Sequence, residues 1–196
     1  MALNFANNNS LSPITSLPAS ISGGDMTLLQ TQTASNSSSI EFTSGIDSTY
    51  DIYKIQIINL HQTTTEMVMY YNFSSDGGSN YNATKTSTMF RATHREDDGV
   101  NVLQYETAGD LAQSTADQRF TAYAHLDTNS DDCLCSSIFL YNPSSTTFVK
   151  HYITTTTFNG AAGNFSNLFS GGYCNTTSAI NAVKILPNSG TIVSGT

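Results

Sequence analysis

The residues in this chain best suited to chemistry are oxygen donors, and their densest run is Asp127-Thr-Asn129-Ser-Asp131-Asp132. Hard cations prefer several carboxylate and amide oxygens close together, and Asp127, Asn129 and Asp131 copy the first three ligand positions of a calcium loop. The copy then departs from the pattern. Position six is Asp132 instead of glycine, and position twelve is Ile138 instead of glutamate, so the loop is not an EF-hand. Two readings stand, a structural calcium site on Asp127, Asn129 and Asp131, or a solvated loop between strands.

Glu96, Asp97 and Asp98 form a second acidic run. A sugar-cleaving pair needs two carboxylates set a few ångströms apart across the scissile bond, and adjacent residues on a loop rarely provide that geometry. His61, His94, His125 and His151 are dispersed with no i, i+4 pair, which gives a zinc site little support. The chain has neither a Gly-x-Ser-x-Gly elbow nor a phosphate-binding glycine-rich loop. No catalytic residue and no cofactor is expected, and the protein is read as a non-enzyme.

Cys133, Cys135 and Cys174 are odd in number, and the first two sit two apart in an expected strand with their side chains on one side. A bridge between those two would be strained, and three cysteines without a fourth ligand make a poor zinc site. Reduced, small core residues are the expectation. A bridge from Cys133 or Cys135 to Cys174 stays open if the protein matures outside a cell. Tyr70, Tyr81, Tyr105 and Tyr123 are expected at the surface, where they could stack on sugar rings, although the chain has no Trp.

Composition limits the partners. Charged residues make up 11% of the 196 positions, the net charge is −8, and the seven Lys and Arg are scattered singly. Without a basic patch, nucleic acid is excluded as a partner. Ser, Thr and Asn take the places that charges usually hold, which raises β propensity and leaves a polar but mostly neutral surface. The first ten residues lack a basic and an apolar region of a secretory signal, and no apolar run approaches the roughly 20 residues of a membrane-spanning helix. A soluble chain made in a cytosol, without membrane insertion, is expected.

The elements that must position these residues are strands. Ser48 to Leu60 is the longest β-type run, with Tyr53, Ile55 and Ile57 on one face and Lys54 and Gln56 on the other. It is expected to be a central strand. Further strands are expected over Met26–Gln32, Ser39–Thr43, Glu66–Phe73, Thr84–Ala92, Val100–Glu106, Arg119–Leu126, Cys133–Tyr141, Thr146–Thr156, Ala179–Leu186 and from Thr191 onward. Asp76-Gly-Gly-Ser79 and Asn142-Pro-Ser-Ser145 read as turns. Residues 108–117 show the one helical tendency, and 159–172 read as a Gly and Asn loop in which Phe165, Leu168 and Phe169 fold over an end or meet a partner. About ten antiparallel strands with regular turns predict an all-β, jelly-roll-like sandwich over 25–196.

Residues 1–24 hold Leu3, Phe5, Leu11, Ile14 and Leu17 among asparagines, prolines and glycines. Such a segment is too polar for its own core, and it reads as an extended arm lying on a neighbour or as a disordered terminus. Leu3, Phe5, Leu11, Ile14, Leu17, Phe165 and Phe169 are the candidate interaction residues.

The segments Met1–Ser12, Ile40–Tyr50, Asp76–Tyr81 and Tyr141–His151 resemble a family of virion structural proteins of marine tailed bacteriophages. In members of that family the final strand continues past Ser-Gly-Thr-Ile into a basic and apolar ending, a pattern from which the stop at Thr196 departs. The resemblance implies a part of the particle, as a capsid decoration, head fibre or tail appendage, and carries over no active-site residue. It leads to the expectation of an accessory virion protein, assembled in the host cytoplasm, that pairs with itself as a homo-oligomer, as a trimer, and with other capsid or tail proteins. The rival reading is a tail-associated module that binds a host receptor or surface glycan.

Overall fold

A computed structural model describes residues 26–122 and 126–196. Its strands are β1 (Ile40–Phe42), β2 (Ile52–Gln62), β3 (Met69–Ser74), β4 (Lys85–Arg95), β5 (Asn101–Tyr105), β6 (Leu111–Ser114), β7 (Gln118–Arg119), β8 (Leu134–Tyr141), β9 (Lys150–Gly160), β10 (Asn164–Cys174), β11 (Ala182–Pro187) and β12 (Ile192–Ser194). One sheet runs β12-β2-β8-β9-β10-β4-β5 with β6 also on β4, and a smaller one runs β1-β11-β3-β7. All pairings are antiparallel. The chain changes sheet repeatedly, as in the steps β2 to β3 to β4 and β10 to β11 to β12, which ties the two layers of an all-β sandwich together.

Period-two alternation accounts for the long strands. In β2, Tyr53, Ile55 and Ile57 are buried while Lys54 and Gln56 are exposed. In β8, Leu134, Ser136, Ile138 and Leu140 turn inward, and β9 continues the inner surface with Tyr152, Thr154, Thr156 and Phe158. β2 has neighbours on both sides, but the middle of the large sheet is β9, so the expected central strand lies near an edge.

The two sheets meet through aromatic rings. Tyr71 and Phe73 from β3 reach Tyr152 on β9 at centroid distances of 6.0 and 5.2 Å, and Phe120 lies 4.6 Å from Tyr71. The Tyr71 hydroxyl is 2.7 Å from the Thr154 hydroxyl, and the Tyr152 hydroxyl donates to Gln118 Oε1 at 3.3 Å, so both phenol oxygens carried into this contact are satisfied. Burial pushes the Tyr71 phenol above its ordinary pKa, which keeps it protonated and able to donate.

Several expectations need correction. Residues 159–172 are not a loop: β10 pairs along its whole length with both β9 and β4. Gly172 is there for close approach, because an added Cβ would lie 2.5 Å from the Thr86 carbonyl oxygen and 2.6 Å from the Tyr152 hydroxyl. Residues 26–32 form no strand, and 108–117 form a 3₁₀ turn (Thr107–Gly109) followed by β6. In the expected strand over Arg119–Leu126, whose alternation puts Phe120, Ala122, Ala124 and Leu126 inside and Arg119, Thr121, Tyr123 and His125 outside, β7 takes in Arg119 alone, and Thr121 is fully buried. Phe120, Ala122 and Leu126 are buried as the pattern requires, while Tyr123, Ala124 and His125 lie outside the described residues.

Both turns form as expected. Gly77 and Gly78 adopt φ of 73° and 88°, and the Asp76 carboxylate accepts from the Ser74 hydroxyl at 2.6 Å, the Asn80 N–H at 2.8 Å and the Asn80 side-chain amide at 2.7 Å. Asn142 takes φ of 44° at the β8–β9 turn. At the C-terminal end β12 lies on β2, and Thr196 exchanges backbone hydrogen bonds with Ile58 at 2.6 and 3.1 Å.

Phe73→Ala should lower stability by about 3–5 kcal/mol, read from the urea midpoint, because it empties the aromatic contact between sheets. The hydrogen bonds from Ser74 and Asn80 hold the Asp76 carboxyl down at about 2. A depressed folded-state pKa gives stability that is present above the ordinary Asp value of about 3.9 and is lost as pH falls toward the folded value. NMR titration should find the Asp76 carboxyl ionised throughout that window, and Asp76→Asn should flatten this part of the acid-unfolding profile.

Candidate interaction face

The outer face of the large sheet carries an apolar ladder that the core does not use. Tyr105 on β5, Phe90 on β4 and Phe169 on β10 are in register, and Phe90 and Phe169 stack at 5.1 Å with planes 16° apart. Leu103, Phe165 and Ile153 extend the patch at 76%, 50% and 49% exposure. Thr155 and Thr157 on β9, with Ser137 on β8, continue it as a neutral surface. Cross-strand aromatic pairs stabilise a sheet modestly, by about 0.2–1 kcal/mol, so packing alone does not account for so much exposed apolar surface.

The electrostatics of this face set it apart from the rest of the chain. Its outward positions on β2, β8, β9, β10, β4 and β5 hold no Asp or Glu, and Lys54 is their single Lys or Arg. Lys54 lies over the Phe139 ring at 5.5 Å. Beside β2, a groove of about 810 Å³ runs between residues 26–32 and the outward side chains Ile52, Gln56 and Ile58, with Met26 and Leu28 at its rim.

The residues singled out from the sequence fall in different places. Phe165 and Phe169 share this face, but as sheet residues instead of loop residues. Leu3, Phe5, Leu11, Ile14 and Leu17 lie outside the described residues. Phe90, Leu103 and Ile153 were missed. Their signal was present in the outward side of β4, where Phe90 follows Thr84, Thr86 and Thr88, but only the pairing with β10 and β5 brings them together.

The acidic runs are occupied locally. The Asp127 carboxylate accepts from the Thr128 N–H at 2.7 Å, and the Asn129 amide donates to Asp132 at 3.0 Å. Burial raises the Asp132 carboxyl above its usual range. Arg95 pairs with Asp97 at 2.5 Å and His94 with Asp98 at 3.1 Å at the exposed β4–β5 turn. Among the described residues there is no group of three or more His, Cys, Asp or Glu that could hold a metal ion.

Tyr70 and Tyr81 are half-buried, with Arg119 and Lys184 over their rings at 5.8 and 4.5 Å, whereas Tyr105 is exposed. Cys133 lies just before β8 and Cys135 faces out from it, both half-buried, while Cys174 is buried on the inner surface beside Lys85 and Lys150. All three are free thiols, so the bridge from Cys133 or Cys135 to Cys174 left open by the sequence is not formed, and Cys135 lies on the opposite side of the sheet from Cys174. Burial pushes the Cys174 thiol up to about 12, which makes it an unreactive core group.

No family model, curated protein or solved structure matches this chain. Among the described residues, no helix is long and apolar enough to cross a membrane.

Replacing Phe90 and Phe169 together by Ser should leave the monomer's urea stability within about 1 kcal/mol. In the homo-oligomer expected from the sequence, the same double change should weaken association at least tenfold in sedimentation experiments, since exposed aromatics concentrate interface energy.

Proposed function

We propose that this chain is a non-enzymatic structural protein of a bacteriophage particle: an oligomeric, jelly-roll-like accessory component, a capsid decoration or fibre, attached through residues 1–24. The observation that carries the reading is the carboxylate-free aromatic face of the large sheet. A second copy of the chain fits it best. With a net charge of −8, two copies repel through their acidic loops, but this face opposes Phe, Leu, Thr and Ser without burying an unpaired charge. A homotrimer assembled in the host cytoplasm would cover the face, and the arm would bind another capsid or tail protein.

The test is native mass spectrometry of the protein with and without residues 1–24, together with co-sedimentation on particles. The expected result is a trimer in both forms, with particle binding lost only in the shortened one. A monomer in both forms that never binds particles overturns the proposal. On a glycan array, saturable binding by a monomer, abolished by Tyr105→Ala, would instead establish the glycan-binding module.

A further inference from the structure

Asn72 near the end of β3, Lys85 at the start of β4 and Asp117 just before β7 converge on one point. Asn72 and Lys85 are 1% and 0% exposed, and Asp117 is half-buried. The Lys85 Nζ lies 2.5 Å from Asn72 Oδ1 and 2.8 Å from the Ala83 carbonyl oxygen. A carbonyl bond of about 1.23 Å puts the Asn72 Cγ no farther than about 3.7 Å from that nitrogen.

The remaining contacts of the amide are those of a polarised acyl group. The Phe73 N–H donates to Asn72 Oδ1 at 2.8 Å, a fixed dipole at the oxygen where negative charge would develop. At the other end, Asn72 Nδ2 donates to Asp117 Oδ1 at 2.7 Å and to the Thr115 carbonyl at 3.2 Å. A carboxylate therefore touches the nitrogen that would have to leave.

Lys85 is an unusual core residue. Ion pairs among the described residues involve Arg91, His94 and Arg95 and do not reach it. Burial lowers its ammonium to about 8, so roughly a tenth of the amine is free at neutral pH. A free buried amine held against a carboxamide carbon has the proximity and the exclusion of water that amide exchange requires.

We propose that Lys85 and Asn72 become joined by an isopeptide bond that the folded chain forms itself, with Asp117 as the proton carrier. The Lys85 nitrogen lone pair adds to Asn72 Cγ, and the carbonyl electron pair moves onto Oδ1 beside the Phe73 N–H. Asp117 takes a proton from Nζ and passes it to Nδ2. The Cγ–Nδ2 bond then breaks and ammonia leaves. One amine and one primary amide yield one secondary amide and one ammonia, with no change in oxidation state. The bond closes the β3–β4 connection covalently and does not depend on the virion reading.

Mass spectrometry of the intact, full-length protein after denaturation tests this directly. The expected mass is lower than the sequence mass by one ammonia, and proteolysis should release a branched peptide joining Lys85 to Asn72. Lys85→Met should abolish the branched peptide, and Asp117→Asn, folded by circular dichroism, should slow its formation at least a hundredfold. Wild-type protein at full mass overturns the proposal, as does ammonia loss with Lys85 and Asn72 on separate linear peptides. The wild-type result decides the bond whether or not either variant folds, and undiminished cross-linking in Asp117→Asn removes that residue's role.

Discussion

The rest of this structure depends on closing two sheets over aromatic rings while pairing the phenol oxygens that those rings carry into the contact. Tyr71, Phe73 and Phe120 on the small-sheet side meet Tyr152 on the large sheet, and the Tyr71 and Thr154 hydroxyls bond across the gap. Large rings supply the buried area that a chain poor in long aliphatic runs needs. The same ring of Tyr152 requires a residue without a side chain at position 172, which explains a glycine in the interior of a long strand.

Several of the polar groups that share the inner surface are paired. Arg91 is bonded to Glu106 and Thr93, and Thr93 to Ser166 at 2.8 Å, so a charge inside the large sheet sits in a closed network. Such a network adds little net stability compared with apolar packing, but removing one partner would strand the other. Lys150 gives a contrasting solution. Its amine donates to the Thr176 carbonyl at 3.1 Å, and burial lowers its pKa.

Charge is arranged by position: among the described residues, every carboxylate except that of Glu41 on β1 lies outside the strands, and none is on the broad outer face of the large sheet. Ser and Thr between the aromatics keep that face compatible with water before assembly, and they desolvate cheaply compared with ions. The interaction residues inferred from the sequence were incomplete for this reason: Phe165 and Phe169 were visible as apolar residues in a Gly and Asn stretch, but Phe90, Leu103 and Ile153 join them only through register. The lysine, asparagine and aspartate that meet at Asn72 were even less visible. Each is an ordinary residue in its own segment, and in the sequence Lys85 simply falls with Met89 and Arg91 on the side of a strand opposite Thr84, Thr86 and Thr88.

Local alternation by itself determined the all-β class, the buried face of β2, and the turns at Asp76 and Asn142, because side-chain period and glycine's tolerance of positive φ are properties of short segments. Tertiary structure decided that 164–174 is a strand in the heart of the large sheet, that 26–32 is not a strand, and that Thr121 is buried. Ladder hydrogen bonds come from neighbours distant in sequence, so a Gly- and Asn-rich segment becomes a strand when β4 and β9 flank it, and an apolar one stays irregular when no partner reaches it.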